Sequence, residues 1–264
     1  MTAVHTIVAA LDWHVLWTRL FHVSHPWLQA LIRTIYIAVI AQILGVLLGL
    51  ASALFQMSRW RVLRIISYFY VLVFRGTPLI VQIFFVYYGA NLFLGFDLFP
   101  RTVGVGFISI NGAIVAGTVS LALNEGAYMS EIIRAGIASV DRGQMEAAKS
   151  VGMTHGLAMR RIVLPQAARV IIPPLGNEFN GMIKNTSLLA FIGVYELFLD
   201  AELGYSVDFK PTEYFLAVAF WYLVLTTVWS LIQVQIERKL GASERFETEG
   251  WAQRLLGTAA PRAR

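Results

Sequence analysis

The chain has no cysteine, which excludes disulfides, thiolate metal sites and a cysteine nucleophile. Charge is scarce as well: Asp, Glu, Lys and Arg make up only 14% of residues, against 57% hydrophobic. With a mean hydropathy of +0.64, the 264 residues carry more apolar surface than one water-soluble core can hide, because folded surfaces need charged cover. The bilayer is the expected solvent. A phosphate-cradling P-loop is also missing. Its lysine must follow a glycine, whereas Lys149, Lys184, Lys210 and Lys239 follow alanine, isoleucine, phenylalanine and arginine. Neither HExxH nor GxSxG occurs, and His5, His14, His22, His25 and His155 lack the spacing of a three- or four-ligand metal set. Residues 1–25 lack an early basic cluster, and Asp12 and Arg19 interrupt their apolar run, so no cleaved signal sequence is expected. The net charge of +5 fits Lys and Arg retained on the cytoplasmic side of a membrane protein better than it fits nucleic-acid binding.

A crossing of roughly 30 Å of hydrocarbon takes about 20 helical residues, and five segments reach that length. They run from Ile35 to Met57, Val62 to Phe96, Ile108 to Tyr128, Pro173 to Leu199 and Tyr214 to Ile236. The second is too long for one simple crossing and contains "RGTP" at Arg75 to Pro78, so one long or interrupted helix is expected there. Loop charges orient the set. Arg59, Arg61 and Arg64 follow the first span, Arg134, Arg142, Lys149, Arg160, Arg161 and Arg169 follow the third, and six more Lys and Arg follow the fifth. Those regions are expected to be cytoplasmic and the amino terminus outside. Trp13, Trp17 and Trp27 suit a headgroup-level amphipathic helix, the alternative being a frayed terminus. The tail from Gly241 to Arg264 is polar, and its "AAPRAR" end is expected to be disordered.

One cytoplasmic stretch reads as local structure. Asp141 and Gln144 fit a capping box, Met145, Ala147, Ala148 and Val151 supply an apolar stripe, and Gly152 can end the helix in the left-handed region. Thr154 then caps a second helix through Met159 and Ile162, which Pro165 is expected to stop. Two short helices joined at a glycine make a unit shaped to dock against something.

The order Glu146-Ala147-Ala148, three residues, Gly152, nine residues, Ile162, one residue, Leu164-Pro165 resembles the EAA loop of bacterial ABC importer permeases. "RGTPLIVQIFFVYYG", "EGAYMSEIIRAGIASV" and "PPLGNEFNGMIKNTSLLAFIGVYEL" are similar to that family's polar-amino-acid branch, and the likeness runs from about Thr34 to Glu237. The resemblance implies an all-α membrane protein of about five transmembrane helices with a cytoplasmic coupling-helix loop, residues 141–166. It implies an extracytoplasmic segment 1–25, a permease domain 26–237 and a cytoplasmic tail 238–264. Glu146, Ala147, Ala148, Gly152, Ile162, Leu164 and Pro165 would meet an ABC ATPase subunit. It further implies a second permease subunit, identical or related, an external solute-binding protein, an amino-acid substrate and the bacterial inner membrane. The chain itself would be no enzyme and bind no cofactor, ATP and Mg being held by the ATPase.

Ionisable groups within spans are expensive, and Arg75, Glu125, Glu178, Lys184 and Glu196 are the candidates. Asn177, Asn180 and Lys184 fall on one helical face, and Asn124 and Tyr128 are i, i+4 partners beside Glu125. With Arg75, those residues are candidates for a translocation pathway, the alternative being interhelical links or snorkelling at a boundary. Carboxylates such as Glu125 and Glu178 would instead serve an ion-gradient-driven secondary transporter, although no inverted repeat is visible. A membrane enzyme lacks any nucleophile and base set.

Overall fold

The computed structural model describes residues 11–22, 24–89, 92–93, 95–105 and 108–240. The expected disordered tail, Gly241 to Arg264, lies outside the described residues, as do residues 1–10. Ten α-helices organise the described chain: α1 Trp13–Phe21, α2 His25–Gln56, α3 Arg61–Gly76, α4 Leu79–Phe84, α5 Gly112–Ala138, α6 Arg142–Ser150, α7 His155–Ala158, α8 Leu164–Asn185, α9 Leu197–Asp208 and α10 Pro211–Lys239. By length and composition α2 and α10 can each cross a bilayer, and up to four crossings result if the bent pairs α3–α4 and α7–α9 count as one each. The expected third span is not among these, because its helix, α5, carries Asn124 and Glu125 at its middle.

The packing inverts that of a soluble domain. Large apolar side chains point outward, Leu72 on α3 being 70% exposed and Leu223 on α10 63%, whereas the interior is built from Ala38, Ala41, Ala113, Leu121, Met182 and Leu189. Small residues replace hydrophobic collapse as the organising device, because lipid tails are as apolar as leucine. The clearest case is α2 against α5. Gly45 and Gly49, one turn apart, let the helix backbones meet: a Cβ on Gly45 would lie 2.5 Å from Glu125 Cγ, and one on Gly49 would strike Met129.

The second expected span is interrupted, as its "RGTP" suggested. Pro78 forces Thr77 into an extended conformation, φ −120° and ψ 149°, and the chain turns by 111° into α4. The 16-residue α3 rises about 24 Å, short of a full crossing. Carbonyls freed at such a break must be satisfied in a membrane. Gln82 Nε2 donates to Phe74 O at 2.8 Å and to Thr77 O at 3.0 Å, and Asn124 Nδ2 reaches Phe74 O at 3.0 Å.

Several expected boundaries need correction. The fold is not wholly α, since Thr102–Val105 and Ile108–Asn111 pair as an antiparallel hairpin. The helix expected to form the third span therefore starts at Gly112 rather than Ile108, with Asn111 Oδ1 accepting from the Ala113 amide at 2.8 Å. Alternating β-branched residues around Gly104 carry strand propensity that a hydropathy window averages into a span. Pro165 does not stop a helix either. A wide turn over Met159–Val163 places Pro165 in the first turn of α8, where a missing N–H is harmless. Helix α8 then runs through Pro173 and Pro174, where the fourth span was expected to begin. Beyond it a tight 3₁₀ turn, Thr186–Ile192, ends at Gly193 with φ +78°. Glu196 then caps α9, accepting from Phe198 N at 3.0 Å and Leu199 N at 2.9 Å, so the expected span from Pro173 to Leu199 is bent by 49°.

Helix α1 lies against the α9–α10 corner, with Leu16 buried and Trp13 and Trp17 exposed. Asp12 caps it and also meets Lys210 Nζ at 2.5 Å, while the Asp12 amide donates to Glu213 at 2.8 Å. The hydrogen bond from the Lys210 ammonium holds the Asp12 carboxyl below its ordinary range, and Asp12 in turn raises Lys210. Arg19 completes the tie, donating to Tyr214 Oη at 2.7 Å.

Candidate coupling surface and polar pathway

Helix α6 begins where its sequence directs. The Asp141 carboxylate accepts from Gly143 N at 2.6 Å, but the expected box is incomplete, because Gln144 turns to Gln166 Nε2 at 3.4 Å. The far end is a full Schellman closure: Gly152 N donates to Lys149 O at 2.9 Å and Met153 N to Ala148 O at 3.0 Å. Gly152 sits at φ +84°, with open space where a Cβ would stand. Thr154 then caps α7, its Oγ1 accepting from Leu157 N at 3.4 Å.

The expected apolar stripe divides between two faces. Met145 and Ala148 turn inward, while Ala147 and Val151 face out, the latter 78% exposed. Glu146, Gly152, Leu164 and Pro165 are exposed too, Ile162 is half-buried, and Ala158 and Val163 fill the space behind. Arg142, Lys149, Arg160 and Arg161 on the same loop are exposed as well. Such a crest offers a small apolar centre and a polar rim, the anatomy of a docking surface.

The candidate pathway residues separate into three groups. Around the helix break, Asn124 Nδ2 also donates to Gln82 Oε1 at 3.0 Å. Arg75 is exposed and stands 5.1 Å over the Tyr128 ring. Glu125 is deeply buried on α5, accepting from Gln42 Nε2 at 2.8 Å. In the third group Asn177 and Lys184 are exposed and Asn180 is half-buried; Asn177 accepts from Gln233 Nε2 at 3.4 Å and Asn180 donates to Ser230 Oγ at 3.2 Å, so these two also link α8 to α10. Gln42, Gln82, Ser230 and Gln233 join these contacts from outside the set of ionisable groups and their neighbouring asparagines and tyrosine. Their signal was present, since amides and hydroxyls within apolar helices must also find partners.

A bent helical bundle with such a loop defines a translocation subunit of a membrane transporter, and comparison makes the class specific. Residues 45–242 match the sequence pattern of the family described as "Binding-protein-dependent transport system inner membrane component", and the chain belongs to that family, the permease subunits of ABC importers. It is 40% identical over 229 residues to the probable amino-acid permease protein YxeN of Bacillus subtilis, covering 87% of this chain and 97% of that one. It is 37% identical over 247 residues to the arginine transport system permease protein ArgU of Corynebacterium glutamicum, covering 88% and 77%. A chain in the crystal structure of an amino acid ABC transporter with histidines superimposes with a TM-score of 0.71 at 38% identity, covering 81% of this chain and 94% of that one.

Two predictions follow from these contacts. Gly152→Ile places a β-branched residue where the left-handed conformation costs roughly 1–2 kcal/mol. Transport should fall several-fold while membrane abundance changes little; normal transport with unchanged ATPase binding would rule out a coupling role for the turn. For the buried acid, Glu125→Leu strands the Gln42 amide, a loss of about 1–3 kcal/mol, and should lower the yield of assembled complex. Lys184→Met, at an exposed position, should leave yield intact and alter uptake. The reverse pattern in the two variants, measured on the same preparations, would contradict the burial assigned to each.

Proposed function

We propose that the chain is the translocation subunit for a polar amino acid, delivered by an external solute-binding protein and driven by a separate ABC ATPase. The observation that supports this most is the exposed crest of α6, closed by the left-handed Gly152, within a chain of the importer family. Glu146, Ala147, Ala148, Gly152, Ile162, Leu164 and Pro165 form the face toward the ATPase. ATP-driven closure of the ATPases then moves the docked loop, and their differential affinity for the two permease states supplies the bias. ATP and Mg stay on that subunit. The pathway is completed by a second permease, identical or related. The names of the two relatives and of the solved transporter support an amino-acid substrate.

In this reading the permease domain covers 26–237 with about five crossings of the inner membrane. The amino-terminal segment 1–25 is outside, and the coupling loop and the tail 238–264 are cytoplasmic. Arg75, Asn124, Glu125, Tyr128, Asn177, Asn180 and Lys184 border or brace the pathway. The ion-gradient alternative is not favoured, because the family is binding-protein dependent.

Reconstitution tests the reading. Proteoliposomes holding the chain with its ATPase and second permease should accumulate an amino acid only with ATP and the binding protein. Uptake driven by a sodium or proton gradient through this chain alone would replace it with the secondary-transporter reading.

A further inference from the structure

Where α2 begins and α5 starts, Arg33, Tyr36, Asn111, Ile114, Gly193 and Tyr195 line a cavity of about 360 Å³. It shares no residue with the coupling crest or with the candidate pathway set. Its size lies at the lower end of small-molecule sites, roughly 300–1,000 Å³, which is ample for a free amino acid.

Arg33 gives the cavity its chemistry. The residue stands among Leu31, Ile32 and Ile35 and is half-buried, an expensive position for a guanidinium near hydrocarbon. One N–H is used, Nη1 donating to Tyr195 O at 3.0 Å, with the guanidinium 5.7 Å from the Tyr195 ring. Among the described residues no carboxylate lies within ion-pair distance of it. A guanidinium presents five N–H donors in a planar fork that fits a carboxylate two-pronged. The Tyr195 contact therefore fixes the head and leaves donors to spare.

The other walls agree. Asn111 spends its Oδ1 on the Ala113 amide, which leaves its amide nitrogen as a donor beside the cavity. Gly193 holds φ +78° with open space where a Cβ would stand, so the turn forms a floor without a side chain. Ile114 supplies an apolar wall. Among the described residues no acidic side chain lines the cavity, so its charge favours an anion.

We propose that this cavity is an outer holding site for the α-carboxylate of the incoming solute, read by Arg33 and Asn111. It deepens the amino-acid importer reading and rests on it. Since only the carboxylate is read, the site does not select side chains, and any α-amino acid serves as a probe.

The test uses the purified complex of the full chain with its ATPase and second permease, without the binding protein. Calorimetric titration compares L-arginine with L-argininamide and L-histidine with L-histidinamide, the amides lacking the carboxylate charge. The wild type should bind each acid at least tenfold more tightly than its amide, Arg33→Gln should remove that preference, and Arg33→Lys should retain part of it. Ile114→Trp, which fills the cavity and leaves the Arg33–Tyr195 contact in place, should abolish binding of the acids. It decides the matter if Arg33→Gln fails to assemble. Absence of binding, equal affinity for acid and amide in the wild type, an undiminished preference in Arg33→Gln, or unchanged acid binding in Ile114→Trp each overturns the proposal. Binding-protein-dependent uptake by the wild type, measured in parallel, separates the two readings: its absence sinks the importer reading, and its presence without acid preference sinks the holding site alone.

Discussion

The close approach of α2 and α5 is the contact on which the rest of the bundle depends. Gly45 and Gly49 remove the side chains that would hold the two helices apart, and the gap is then sealed by Gln42 on Glu125. In lipid there is no hydrophobic drive to bring helices together, so packing area and interhelical hydrogen bonds must do it. Once α5 is fixed, its Asn124 reaches a carbonyl freed at the Pro78 break, its Gly136 leaves room for Ile171 of α8, and its carboxyl-terminal end leads directly into α6. The helix that carries the buried polar contacts of the bundle thus runs on into the α6–α7 loop.

Breaks in the helices are placed where polar side chains can absorb them. The turn at Thr77-Pro78 is answered by Gln82 and Asn124. Beyond the turn at Gly193, Glu196 accepts two backbone amides at the start of α9 as well as Tyr222 Oη at 2.7 Å. Irregular backbone at membrane depth is tolerated only when its groups are satisfied inside the protein. These bends also expose turn backbone to cavities, which is how Gly193 comes to border a pocket with Arg33.

Much of this was legible in the residues themselves, and the exceptions share a cause. The break at Pro78, the cap at Asp141 and the left-handed Gly152 follow from local sterics, and the sequence shows them because the cause is local. The hairpin at Thr102–Asn111 was hidden because hydropathy cannot distinguish a strand from a helix in a short apolar run. Pro165 misled for a different reason, since a wide turn upstream converted a breaker into a first-turn residue. The pathway candidates were half legible: Asn177 and Asn180 were seen as polar on one face, but that the face meets Gln233 and Ser230 depends on how α8 lies against α10. Such tertiary choices are not written in either helix alone.

The absence of cysteine makes one measurement unusually clean. A single Val151→Cys places the chain's only thiol at the outward crest beside Gly152, at a position 78% exposed. If that crest is the coupling surface, the purified complex should give a disulfide or short-linker crosslink to a cysteine in the ATPase groove, its yield should change on adding ATP, and an extracytoplasmic impermeant maleimide should not reach the thiol in intact cells. Labelling from outside, or a thiol that remains free and equally reactive with and without the ATPase, would contradict the account at its centre.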